Sequence, residues 1–310
     1  MKLTRLNSYR LTILSVVAAA MSMLIMSSFA VVVSALDAGE TDADGESILI
    51  SPVDKRYTLR PGEVKTDSVR VVNDGTTPLR FVVYTRPYSV NDEQYTPDFT
   101  SNPKNADVYR WMRFEKTAYE LKAGETADVP YTIQVPENAS PGGHYGVLFA
   151  ETQTQESDTG NAVLRKKRVG SIMYVTVDGD VRLGGSRSEI SVPFFQTQAP
   201  ISGTQTIKNT GNTDFQVTST FSVADLFGDT KYTNTAVNPV LPETSRTIRS
   251  EWREDARWFG LYKVTLQTNF VDQSYNSTHY VLLAPIWMYV TLVGLIIARV
   301  AYGYSRKKKR

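Results

Sequence analysis

The 310-residue sequence contains no cysteine. Disulfide staples, cysteine nucleophiles and thiolate metal sites are thereby excluded, and burial of a core must hold the fold. Histidine is nearly as scarce, with His144 and His279 the only two. That disfavours a zinc site and leaves few candidates for a catalytic base. His144 alternates with Tyr145 in a hairpin, the position of a satisfied surface or half-buried residue rather than of a base. Carboxylates are plentiful, but none show the spacing of a pair committed to glycoside hydrolysis. The run DAGETDADGES, with Asp42, Asp44 and Glu46, lacks the ligand series of an EF-hand and reads as an acidic spacer. The expectation is a chain with no enzymatic activity, no cofactor and no metal.

Acidic residues are also missing from both ends. All 32 lie between two apolar runs, whereas nine of the 34 basic residues lie before, within or beyond those runs. The intervening stretch therefore carries a net charge of about −7. Such a charge disfavours attraction to polyanions, nucleic acid included. After Lys2, Arg5 and Arg10, residues 11–35 carry no charge and close on Val33-Ser34-Ala35, a small-x-small pattern suited to signal peptidase. Residues 1–35 thus read as a signal peptide, with a retained N-terminal anchor as the alternative, and 36–46 as the acidic spacer. Residues 284–304 are apolar, carry Trp287, Tyr289, Tyr302 and Tyr304 near their ends, and lead into the basic tail 305–310. They predict a transmembrane helix with a cytoplasmic tail. The expected location is a single-pass cell membrane protein with residues 36–283 outside.

Between these runs the pattern is strand after strand. In ADVPYTIQV, Val129, Tyr131, Ile133 and Val135 face one way and Asp128, Pro130, Thr132 and Gln134 the other, which fits a sheet with one wet face. Comparable runs occupy 64–72, 79–84, 145–150, 169–177, 215–223 and 262–270, separated by turn signals such as Pro61-Gly62 and Pro141-Gly142-Gly143. The design recurs. Asn73-Asp74-Gly75 precedes Leu79, Phe81 and Val83 much as Asn209-Thr210-Gly211 precedes Phe215 and Val217, and Gly143-His144-Tyr145-Gly146-Val147 is echoed by Gly260-Leu261-Tyr262-Lys263-Val264. The fold class is all-β: two tandem immunoglobulin-like sandwiches, 47–178 and 182–283, beside the transmembrane helix. One segment breaks the rhythm. Val108, Trp111 and Met112 fall at helical spacing and predict a short helix that tucks Trp111 against the first sandwich, the alternative being an exposed tryptophan for carbohydrate stacking.

The stretch from Trp111 through YELKAGETADVPYTIQVPENASPGGHYGVLFAE to RVGSIMYVTVDG, with YTLRPGEVKTDSVRVVNDGTTPLRFVVY upstream, resembles the first domain of the WxL-interacting proteins of Gram-positive bacterial surfaces. That resemblance implies a peptidoglycan-binding domain, a second β domain that contacts partner proteins or host ligands, and a C-terminal membrane helix with a basic tail. No Trp-x-Leu triplet occurs, so the chain does not resemble the partner WxL proteins themselves. LPETS, at 241–245, begins like a sorting signal, but it lies some forty residues before the apolar run at 284 and aligns with Gly124-Glu125 of the first repeat. It is expected to form a turn.

The resulting expectation is a membrane-anchored surface scaffold that contacts peptidoglycan or another exported surface protein, with a wall-remodelling enzyme or sensor subunit as the alternative. Unpaired sheet edges, which bind a partner strand through the main chain, would account for the lack of a recognisable site. Two sets of candidate binding residues stand out: the basic run Arg165, Lys166, Lys167 and Arg168, and the aromatic-arginine segment Trp252, Arg253, Arg257, Trp258 and Phe259. For Trp258 and Phe259 core packing is the competing reading.

Overall fold

A computed structural model of the chain describes residues 45–153, 166–188, 190–253 and 259–307, the last seven as backbone alone. The expected signal peptide and residues 36–44 of the spacer lie outside these. Gly45–Arg310 form one compact unit, and it is all-β, built as layered sheets.

The alternating runs become strands whose apolar faces meet. The first sheet has the order β1 (Ile48–Ser51), β3 (Val64–Asn73), β9 (Thr126–Gln134), β7 (Met112–Phe114). It faces a second, ordered β2 (Asp54–Leu59), β11 (Arg168–Val177), β10 (Gly142–Gln153), β4 (Leu79–Pro87), β8 (Ala118–Leu121). Val69 and Val71 of β3, Val129, Tyr131 and Ile133 of β9, and Phe81 and Val83 of β4 share one core with Met173 and Val175 of β11. Each such side chain contributes about 1.5–3 kcal/mol through removal from water. The one-turn helix Val108–Trp111 closes this core and buries Val108 and Trp111, so the tryptophan plugs the sandwich rather than standing exposed. A small ribbon, β5 (Ser89–Val90) with β6 (Pro97–Asp98), projects beyond β4.

The second half repeats the plan. β12 (Gly185–Arg187), β14 (Ile201–Asn209) and β17 (Ser245–Trp252) form a third sheet. Opposite it lie, in order, β13 (Phe195–Gln196), β19 (Gln273–Leu283), β18 (Gly260–Phe270), β15 (Phe215–Asp225) and β16 (Thr230–Val240). In both halves an early strand runs parallel to the last one: β2 beside β11, and β13 beside β19. All the other ladders are antiparallel.

A buried asparagine carries the repeat at atomic detail. Asn73 Nδ2 donates to the carbonyls of Thr77 and Lys122, while its Oδ1 accepts the Gly75 N–H. Asn209 does the same with Thr213, Val240 and Gly211. Its backbone N–H reaches the Thr244 carbonyl as that of Asn73 reaches Glu125. The turns they brace match too, since Gly124 has φ +75° and Glu243 has φ +61°. Glycine suits that conformation and glutamate adopts it at a cost. Leu241-Pro242-Glu243-Thr244 is therefore a turn into β17, as its alignment with the first repeat implies.

The membrane-spanning expectation for 284–304 is corrected. A helix, Ile286–Lys307, does occupy the segment. Among the described residues, however, no helix is long and apolar enough to cross a membrane. The single-pass location and the assignment of 36–283 to the outside fall with it.

Candidate functional site

The two sheet pairs meet through a layer rich in tyrosine. Tyr88, Tyr95, Tyr145, Tyr174 and Phe149 from the first half pack with Ile207, Phe215, Val240, Leu241 and Phe270 from the second. Their polar ends are satisfied across the junction. Tyr145 Oη donates to Asp214 Oδ1 and accepts the Asp214 N–H. Arg56 donates to the other carboxylate oxygen and lies 4.0 Å above the Tyr174 ring. The Asp214 side chain is only 3% exposed, so this pairing is what lets a carboxylate sit there. Tyr95 Oη accepts the Leu241 N–H and lies 2.6 Å from Thr244 Oγ1, and Arg246 stacks 4.3 Å over its ring. Burial pushes the pKa of Tyr88, Tyr95, Tyr145 and Tyr174 up and that of Arg246 down. These phenols are structural donors at any physiological pH.

Beside this junction opens a cleft of about 510 Å³, lined by residues that include Tyr88, Lys104, Pro141, His144, Asn212 and Glu243. Ser140 and His144 line it, and with Asp107 they mimic the arrangement of a nucleophilic triad. His144 Nδ1 lies 2.7 Å from Asp107 Oδ1, and Nε2 lies 2.8 Å from the Ser140 carbonyl and 3.4 Å from the Ser140 hydroxyl. Both ring nitrogens face oxygen acceptors, an arrangement that favours the charged form of the ring. Burial opposes that charge, but the Asp107 bond, the Ser140 carbonyl and the Asp107 charge outweigh it and raise the pKa above 6.5. Nε2 lies nearer the Ser140 carbonyl than the Ser140 hydroxyl, which is not the geometry of a base set to take the hydroxyl proton. Trp111 lies 4.7 Å from the imidazole, covering a ring that is 3% exposed, which favours the cation further. The cluster is a bracket between the helix turn, the 136–141 loop and β10. Among the described residues no cluster could hold a metal ion.

The residues expected to bind are scattered. Arg165, Arg257 and Trp258 lie outside the described residues. Lys166 is exposed. Lys167 donates through Nζ to the Glu46 carbonyl, and the Arg168 guanidinium stacks 4.3 Å over Phe149, opposite Glu151 on the neighbouring strand. Two of the four basic residues are therefore tied into the first sandwich. Trp252 is corrected outright: at 2% exposure it stacks on Tyr232 and meets Tyr262 edge-on inside the second core. Its alternation with Ile248 along β17, not its neighbouring arginines, decided its place. Arg253 is exposed just beyond the strand, and Phe259 is half-exposed ahead of β18.

Sheet edges are the feature that side-chain motifs could not locate. Most edge strands are short or covered. β1 and β8 have 4 residues each, β7 and β12 have 3, and β13 has 2. The 8-residue β17 gives its Thr247 N–H to the Glu93 carbonyl. β16 is different: it has 11 residues and pairs with β15 alone. Arg246 donates to the Pro239 carbonyl, so that residue faces away from β15, where a missing N–H is harmless. Residues 233, 235 and 237 share its parity and point their N–H and C=O groups outward.

No family model matches the chain, and no curated protein does. Among solved structures it is similar to the class 5 fimbriae chaperone CfaA, at 14% identity over 77% of this chain and 100% of the other, with a TM-score of 0.38. A chaperone-tip adhesion subunit complex, CsuC-CsuE of Acinetobacter baumannii, matches at 13% identity over 76% and 98%, with a TM-score of 0.38. A PapD-like domain of human CEP192 matches at 17% over 47% and 95%, with a TM-score of 0.33. Likeness at that level carries no argument about function. The resemblance to WxL-interacting proteins is corrected, because no family model matches the chain. Its Gly-Glu turn, alternating strand and Pro-Gly-Gly-x-Tyr hairpin build a sandwich whatever it binds. With it go the membrane-anchored surface scaffold, peptidoglycan, the exported surface protein and the membrane as expected partners, and the wall-remodelling alternative.

Proposed function

We propose that the chain is a non-catalytic protein-binding module that receives an extended polypeptide segment along the free edge of β16. Two tandem immunoglobulin-like units, 47–178 and 182–283, form its rigid body in this reading. The observation that carries it is the length of β16, whose outward peptide groups at 233, 235 and 237 have no second strand. A partner strand gains a ladder of main-chain hydrogen bonds there, and the exposed Thr233, Thr235 and Val237 supply the side chains that choose it. His144, with both ring nitrogens engaged by Asp107 and the Ser140 carbonyl, supports a non-catalytic role.

Panning short random-sequence peptides against the full chain tests this. T235P and V237P remove an outward N–H at the parity that Pro239 already occupies, so they spare the ladder to β15. Enriched peptides are expected to bind either variant roughly tenfold or more weakly, a loss of about 1.4 kcal/mol, while the melting temperature holds. Peptides that bind V237P as well as the parent chain refute the edge.

A further inference from the structure

At one end of β16 the hairpin turn displays two apolar side chains that its own fold does not use. Phe227 is 93% exposed and Leu226 61%. Solvent-facing hairpin tips are ordinarily polar or glycine-rich. This one is held rigidly. Asp225 Oδ1 accepts the N–H groups of Phe227 and Asp229, and the Asp225 N–H donates to the Asp229 carbonyl. Lys231 pairs with the other Asp225 oxygen at 2.9 Å, and that bond with the two N–H donors draws the carboxyl pKa down. Gly228, at φ +91°, lets the chain reverse in so few residues. A bulge between Val223 and Ala224 sits at the root of the tip, where such irregularities re-aim the chain.

We infer that Leu226 and Phe227 form a preorganised apolar finger that fixes the register of a segment bound along β16, taking a large aliphatic or aromatic residue at the segment's nearer end. The inference rests on the edge reading above. Main-chain bonds alone are the same at every two-residue step, so an added strand could slide. A fixed anchor beyond Thr230 breaks that degeneracy. The rigid turn has already lost the conformational entropy that a floppy loop would lose on binding, which is how two side chains become a hot spot.

The test pans displayed random-sequence peptides against the full parent chain and against L226S/F227S, whose changes touch no buried contact. The expected result is a large apolar residue enriched at the finger end with the parent chain, lost with the double variant, and about tenfold weaker binding of those peptides to L226S/F227S. The same positional preference from both proteins overturns the finger and leaves the edge reading intact. Peptides insensitive to V237P, or no enrichment by the parent chain, overturn the edge reading and the finger with it.

Discussion

Asn209 shows how one side chain holds a whole junction of strands. Its amide satisfies the carbonyls of Thr213 and Val240 and the N–H of Gly211 in a fully buried place. Replacing it by leucine keeps the branching but strands those groups, so N209L is expected to lose about 3 kcal/mol in a urea titration. N209D, which keeps the acceptor and loses both donors, should fall by a similar amount. His144 gives a pH signature instead. Its folded pKa lies above the ordinary 6.5, so the stability it contributes is complete below that value and drains away as pH rises through the folded pKa. Melts from acid to mildly alkaline pH should show this decline in the parent chain and not in H144N; parallel curves would mean that another group titrates. The sequence announced the two asparagines through the recurring Asn-x-Gly signal, because a turn that needs a side-chain brace spells it locally. The bracket was hidden, since Asp107 is 37 residues from His144 and only the fold brings them together.

At the level of elements, alternation is a faithful guide where a strand has one apolar face. The run at 64–72 lies within β3, 169–177 within β11 and 215–223 within β15. β16 escaped because Thr-Lys-Tyr-Thr-Asn-Thr carries no apolar stripe; its partner strand, rather than its own burial, holds it in the sheet. Thr220 and Thr235, and Ser222 and Thr233, join their hydroxyls across that ladder at 2.9 and 3.1 Å. Such pairs are worth a few tenths of a kcal/mol each. T220V/T235V should therefore leave the melting temperature almost unchanged. The helix Ile286–Lys307 was legible from its apolar composition, while among the described residues no helix is long and apolar enough to bear out its reading as a membrane span.

For the whole molecule, the junction between halves decides whether they unfold together. R56A strips the partner from a carboxylate that is 3% exposed and leaves it one phenol. Arg56 itself is partly solvated, so the cost should be about 2 kcal/mol rather than the full penalty of a broken buried pair. Calorimetry of R56A/Y95F, which also weakens the tie to Thr244, is expected to split one transition into two; a single shifted peak would show that apolar contact alone couples the halves. None of this was readable in advance, because Arg56 and Asp214 are 158 residues apart and no local pattern records such meetings. Finally, β2 lies parallel to β11 and β13 parallel to β19. A force applied across each half strains those neighbouring strands along their length, so the hydrogen bonds between them resist in concert rather than parting in turn like a zip. The first half, where the parallel pairing runs the whole of Asp54–Leu59, should behave as a stiff mechanical link, rupturing abruptly under tension in a pulling experiment.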